Sequence, residues 1–60
     1  MREIDVLRLE NPPADANYAI MKKSAIGFID ICEYYVTFYG AIDGLMDLPT
    51  ANYTILKIRR

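Results

Sequence analysis

Met21, Ala25, Phe28, Cys32, Tyr35, Tyr39, Ile42 and Met46 follow one another at alternating spacings of four and three residues. Lys23, Asp30, Thr37 and Gly44 hold the opposite edge. That spacing is the period of a helix. It runs through Tyr34–Tyr39, where β-branched and aromatic residues favour a strand. On a heptad frame Ala25, Cys32, Tyr39 and Met46 occupy the a positions, and Met21, Phe28, Tyr35 and Ile42 the d positions. Ile29 and Val36 widen the apolar face on one side, and Ile31, Phe38 and Leu45 on the other. Such a face is too broad for a two-stranded coiled-coil seam and suits a helix lying on a sheet or in a bundle. As a regular strand, the stretch would send Asp30 and Glu33 to opposite faces. Gly27, Gly40 and Gly44 each oppose the helix by about 1 kcal/mol relative to Ala. Gly40 and Gly44 leave a flat spot that suits either a kink or the close approach of another backbone.

The flanks read as strands. In residues 2–10, Ile4 and Val6 share a face with Arg8, and Leu7 and Leu9 share the other, until Asn11-Pro12-Pro13 ends the ladder. Asp15 or Asn17 is the expected helix N-cap, with Asn11 ahead of Pro12 as an alternative start. Leu48-Pro49 ends the helix, because Pro cannot continue it and biases Leu48 away from helical backbone. In residues 52–59, Thr54, Leu56 and Ile58 form one face and Tyr53, Ile55 and Lys57 the other. Ala16-Asn17-Tyr18-Ala19-Ile20-Met21-Lys22 echoes Ala51-Asn52-Tyr53-Thr54-Ile55-Leu56-Lys57. The echo is too short for a solenoid repeat and is expected to be a coincidence of a Tyr/Ile-rich chain.

The expected class is therefore α+β: strand, long amphipathic helix that is either continuous or kinked near Gly40, strand, in one small domain over residues 1–60. A helix over residues 17–48 would be about 45 Å long. A globule of this length has a radius of gyration near 10 Å and a diameter of about 27 Å. Two strands cannot cover such a helix, so a second copy is expected to complete the sheet and bury the stripe, most simply as a symmetric dimer. Composition agrees. The chain is 53% hydrophobic, has one Cys and no His, and so holds neither an internal disulfide nor a zinc site to stabilise a small core. The stripe residues Met21, Ala25, Phe28, Cys32, Tyr35, Tyr39, Ile42 and Met46 are the expected oligomer interface.

Chemistry has little to draw on. The usual acid–base side chain, His, is absent. Asp30 with Glu33 and Asp43 with Asp47 have the spacing of carboxylate pairs, yet such pairs ordinarily solvate a helix face. Cys32 lies on the apolar stripe without a basic neighbour to lower its pKa, which suits a buried structural thiol. Tyr34, Tyr35, Phe38 and Tyr39 suit core packing, with Tyr34 off the stripe as an interface candidate. Arg2, Arg8, Lys57, Arg59 and Arg60 cluster if the terminal strands pair. They are the candidate anion contacts, against the simpler role of charge protecting sheet edges. A net charge of −1 gives no overall attraction to nucleic acid or anionic membrane. Asp30 and Glu33 oppose a membrane span through Ala25–Ile42, and the N-terminal residues lack a secretory pattern.

Strand–helix–strand in so short a chain resembles the small tautomerases, which use an N-terminal proline as base. Here residue 2 is Arg and Pro12 and Pro13 are internal, so that activity is not carried over. Separately, Ser24-Ala25-Ile26-Gly27-Phe28-Ile29-Asp30, Gly40-Ala41-Ile42-Asp43 and Ala51-Asn52-Tyr53-Thr54-Ile55 look like the first strand, helix and second strand of a bacterial microcompartment shell domain. That resemblance covers about half the chain, lacks the domain's second half, and implies a strand over residues 25–32. The leading expectation is a cytoplasmic, non-catalytic interaction protein: a regulatory, inhibitory or accessory subunit that needs no cofactor or metal. Its expected partners are itself and another protein. A nucleic-acid-binding module is the alternative.

Overall fold

The computed structural model describes residues 2–23, 29–49 and 51–60. Its elements are β1 (Arg2–Asp5), a 3-10 turn (Val6–Arg8), β2 (Tyr18–Lys23), β3 (Ile29–Tyr35), α1 (Phe38–Met46) and β4 (Tyr53–Arg59). The class is α+β. Among the described residues there is one α-helix, of 9 residues, on a four-stranded mixed sheet of order β1-β4-β2-β3. β1 runs parallel to β4; β2 runs antiparallel to both β4 and β3. The radius of gyration is 10.7 Å and the longest extent 27 Å, the size expected for this length.

The long helix over residues 17–48 is not formed. Its first part is β2 and β3, and only Phe38–Met46 is helical. Gly40 lies in the first turn of α1, so no earlier helix exists for a kink to separate. The strand completion expected from a second copy also changes character, because all four strands come from one chain. Ala25 and Phe28 lie outside the described residues.

The reason is burial on two faces. β2 lies between β3 and β4, with Ala19 and Met21 in one apolar cluster and Ile20 in another. A strand buried on both sides is apolar at nearly every position, and such a run fits a helical template as well as its own. Packing then selects the strand that the β-branched and aromatic side chains of β3 favour.

Asp30 and Glu33, the obstacle to a strand, are reconciled by a bulge. Ile20 pairs with Glu33, but the next pair is Met21 with Ile31, leaving Cys32 as the extra residue. The inserted residue shifts the side-chain alternation by one. Asp30, opposite Lys22, and Glu33, opposite Ile20, therefore share a face. Cys32 is exposed rather than buried as expected, because the bulge lies on an edge strand and turns it out of the ladder.

One sheet face is covered by α1. There Ile20, Ile55 and Ala41 are buried, with Tyr18, Tyr35, Ile42, Leu45, Leu48 and Tyr53 around them. The other face carries Ile4, Ala19, Met21, Leu56 and Ile58, covered by Ala16, Val6 and Leu9. Residues 2–10 thus form a strand only to Asp5. At Val6 the chain makes a single 3-10 turn closed by the Leu9 N–H to the Val6 carbonyl (3.1 Å). Residues three apart eclipse in that geometry, so Val6 and Leu9 both reach the core while Leu7 is 94% exposed. Asn11 takes φ 47°, a left-handed conformation that short polar side chains tolerate.

The sequence echo is structural. β2 and β4, its two copies, pair antiparallel about Ile20 and Ile55, with Tyr18 opposite Lys57 and Lys22 opposite Tyr53. The Lys23 N–H donates to the Asn52 carbonyl (2.7 Å) and the Ile58 N–H to the Asn17 carbonyl (2.9 Å). These pairs interchange under the echo, so the central strands are related by a local two-fold axis between Ile20 and Ile55. Ladder alternation makes Ile20–Ile55 a close, non-hydrogen-bonded pair, the geometry with side chains nearest each other.

Candidate interaction surface

α1 starts at Thr37, whose side-chain oxygen accepts from the Gly40 N–H at 3.1 Å. Neither Asp15 nor Asn17 caps it. The Asn17 N–H donates to the Tyr35 carbonyl and its side-chain amide to the Val36 carbonyl, both at 3.0 Å, so Asn17 fixes the end of β3 beside the start of β2. The Leu48 N–H closes the helix on the Leu45 carbonyl (3.0 Å) just before Pro49, where the sequence places its end.

Tyr35 sets the depth of the helix. Its hydroxyl donates to Glu33 Oε2 at 2.6 Å. That hydrogen bond, then burial, then the negative charges of Glu33 and Asp47 push its pKa up to about 12. A methyl group on Gly44 would land on the Tyr35 hydroxyl and lie 2.7 Å from ring atom Cζ and 3.3 Å from Ile20 Cδ1. The flat spot of Gly40 and Gly44 is thus occupied by a tyrosine ring from the sheet below, not by another backbone.

The stripe residues do not share one face. Met21 is buried beneath residues 6–16, Tyr35 from the sheet and Ile42 from α1 are half-buried where the two pack together, and Cys32 is on the outer edge. Tyr39 and Met46, on the outer helix face, are 80% and 75% exposed. Next to Tyr39, Val36 is 52% and Phe38 36% exposed. Tyr18, Phe38 and Tyr39 form a tilted aromatic chain with centroid separations of 5.5 and 6.4 Å. Tyr34 packs on the opposite sheet face, so it does not converge with Tyr39.

The terminal strands pair, yet their cations disperse. Arg59 binds Asp5 (2.7 Å) and approaches Glu3 (3.9 Å). Arg60 donates to the Pro13 and Ala16 carbonyls at 3.1 and 2.6 Å. Arg2, opposite Leu56, and Lys57, opposite Glu3, lie on different sheet faces, and Arg8 is in the 3-10 turn. Among the described residues no group of three or more His, Cys, Asp or Glu side chains is placed to hold a metal ion. No described helix is long and apolar enough to cross a membrane.

One signal in the sequence bears directly on this surface. Residues 24–56 contain no Lys or Arg and four carboxylates, Asp30, Glu33, Asp43 and Asp47. The remainder holds all seven cations against four carboxylates, Glu3, Asp5, Glu10 and Asp15. β3 and α1 thus form an acidic, aromatic unit on a basic scaffold. Asp43 and Asp47 are exposed on the same helix side as Tyr39 and Met46 by helical spacing. Comparison with models of known protein families, with curated proteins and with solved structures finds no match.

Proposed function

We propose that the chain is a small non-catalytic interaction protein that acts by docking the outer face of α1 and the β3–α1 junction on another protein. The observation behind this is the exposure of Tyr39 (80%) and Met46 (75%) on one helix face, beside Val36 and Phe38. Large side chains of these types are enriched at interfaces. The case for a second copy as the obligatory partner is weaker than the sequence suggests. It rested on a helix of about 45 Å, whereas α1 has 9 residues and fits within the fold. Nucleic-acid binding through the terminal cations has less behind it, since Arg59 and Arg60 are engaged by Asp5, Pro13 and Ala16.

The test is affinity capture from native cells with the intact chain and with a Tyr39→Ser/Met46→Ser variant, alongside sedimentation of each. Both substitutions are at exposed positions and should leave the thermal midpoint nearly unchanged. A specific partner captured by the parent and lost with the variant supports docking through this face. Capture unaffected by the double substitution would overturn it.

A further inference from the structure

The outer face of α1 is unfavourable as an isolated surface. Asp43 and Asp47 are like charges one helical turn apart, which repel. They lie at the C-terminal end of the helix, where the backbone dipole is itself negative, and no basic residue occupies the last turn. Glu33 adds a third carboxylate nearby, since it accepts the hydrogen bond of the Tyr35 hydroxyl, which also feels the charge of Asp47. The described ion pairs all belong to Arg59 of β4, which reaches Glu3 and Asp5 on β1, the edge strand opposite β3. Tyr39 and Met46 stand on this same acidic face, open to solvent.

We propose that this face binds a basic amphipathic segment of another protein, whose apolar side covers Tyr39 and Met46 and whose Lys or Arg side chains lie over Asp43 and Asp47. This rests on the docking role proposed above and names the partner's chemistry. Charge selects it. A second copy pairing symmetrically through the same face would bring Asp43 and Asp47 of both chains together. Nucleic acid and anionic lipid would be repelled for the same reason. A segment with cations flanking an apolar seam relieves the carboxylate repulsion and removes the exposed apolar area in one step.

The probe is a synthetic amphipathic Leu/Lys helix about 18 residues long. It is titrated into the full isotope-labelled chain, with Leu/Glu and Gln/Lys peptides of the same length as comparisons. The Leu/Lys peptide should shift the amides of Tyr39, Asp43, Met46 and Asp47 and bind roughly ten-fold more tightly than either comparison. Asp43→Asn/Asp47→Asn should weaken it about three- to ten-fold and flatten its salt dependence. Equal affinity for the Leu/Glu peptide would overturn the basic partner while leaving a docking face. Equal affinity for the Gln/Lys peptide would reduce the effect to bare charge and overturn the amphipathic seam. Failure of both Leu-containing peptides to perturb α1 would remove the docking face as well. Self-association of the parent chain through α1 at low salt would assign the face to a second copy and overturn the inference.

Discussion

Gly44→Ala should destabilise this protein although it replaces glycine inside a helix. Taken alone, the substitution favours α1 by about 1 kcal/mol. The added methyl, however, falls on the Tyr35 hydroxyl and within 2.7 Å of Cζ, a ring atom that cannot flex. Retreat is blocked on two sides. Ile20 is fully buried with Cδ1 only 3.3 Å from the new methyl, and the Tyr35 hydroxyl is held at 2.6 Å by Glu33. Either the helix lifts or the ring moves, at about 1–3 kcal/mol for overpacking. Breaking the Glu33 hydrogen bond adds about 1 kcal/mol. The net loss is about 1–3 kcal/mol, or roughly 5–20 °C in thermal midpoint for a domain this small.

Gly40→Ala is the control. Its methyl meets Tyr35 Cδ1 at an ordinary 3.6 Å and the Thr37 oxygen at 3.1 Å, a contact relieved by a few tenths of an ångström. The same propensity gain then nearly cancels the strain, and the change should stay within about 1 kcal/mol. Urea unfolding followed by circular dichroism compares the two, each alone and with Tyr35→Leu. In the Tyr35→Leu background the Gly44→Ala penalty should vanish or reverse, giving a coupling above about 1 kcal/mol. A Gly44→Ala protein at least as stable as its parent, or an equal penalty with and without the ring, would refute the tyrosine seat.

Three further outcomes are expected. Thr37→Ala should cost about 1 kcal/mol by freeing the Gly40 N–H, and Thr37→Ser should recover most of it in the same unfolding assay. Arg60→Ala should speed amide exchange at Ala16 and lower stability by about 1–2 kcal/mol, since it strips two carbonyls of a charged donor; Arg59→Ala, which removes an exposed ion pair, should cost under about 1 kcal/mol. Tyr35 binds its proton more tightly when folded, with its pKa pushed from 10.0 to about 12. Its contribution is therefore complete below pH 10.0 and lost as pH rises toward 12. The stability advantage of the parent over Tyr35→Phe should narrow across that window, and a constant advantage would contradict the Glu33 hydrogen bond.

The sequence was legible where one physical cause acted alone. The last strand, with Thr54, Leu56 and Ile58 on one face, and the helix end before Pro49 follow from alternation and from the missing proline N–H. The middle was not legible, because two causes produce the same pattern. Burial of β2 on both faces fills residues 18–21 with apolar side chains in succession, a run that fits a helical stripe as well. The bulge at Cys32 then moves Asp30 to the same face as Glu33, a shift that no fixed period can represent. The first strand ends sooner than its apolar residues suggest, because Val6 and Leu9 reach the core from a 3-10 turn, which places apolar residues three apart rather than two. Of the candidate site, Tyr39, Ile42 and Met46 lay on a true helix, though only its outer face is open. The absence of cations from residues 24–56 was readable from the outset and points to the same surface.

The local two-fold of β2 and β4 clarifies why Tyr39 and Met46 stand apart from the rest of the stripe. A chain this short is expected to need a disulfide, a metal or a partner. Here the central strand pair is apolar on both faces, and each face is closed by a short segment of the same chain: α1 over Ile20 and Ile55, residues 6–16 over Ala19 and Leu56. The buried cores therefore draw on Ala41, Ile42 and Leu45 from the helix and make no use of Tyr39 or Met46. Replacing either by a polar residue should cost the fold little and improve solubility. Their presence answers no requirement of folding. It falls on the helix face where Asp43 and Asp47 have no ion-pair partner among the described residues, and a single basic amphipathic partner would satisfy both.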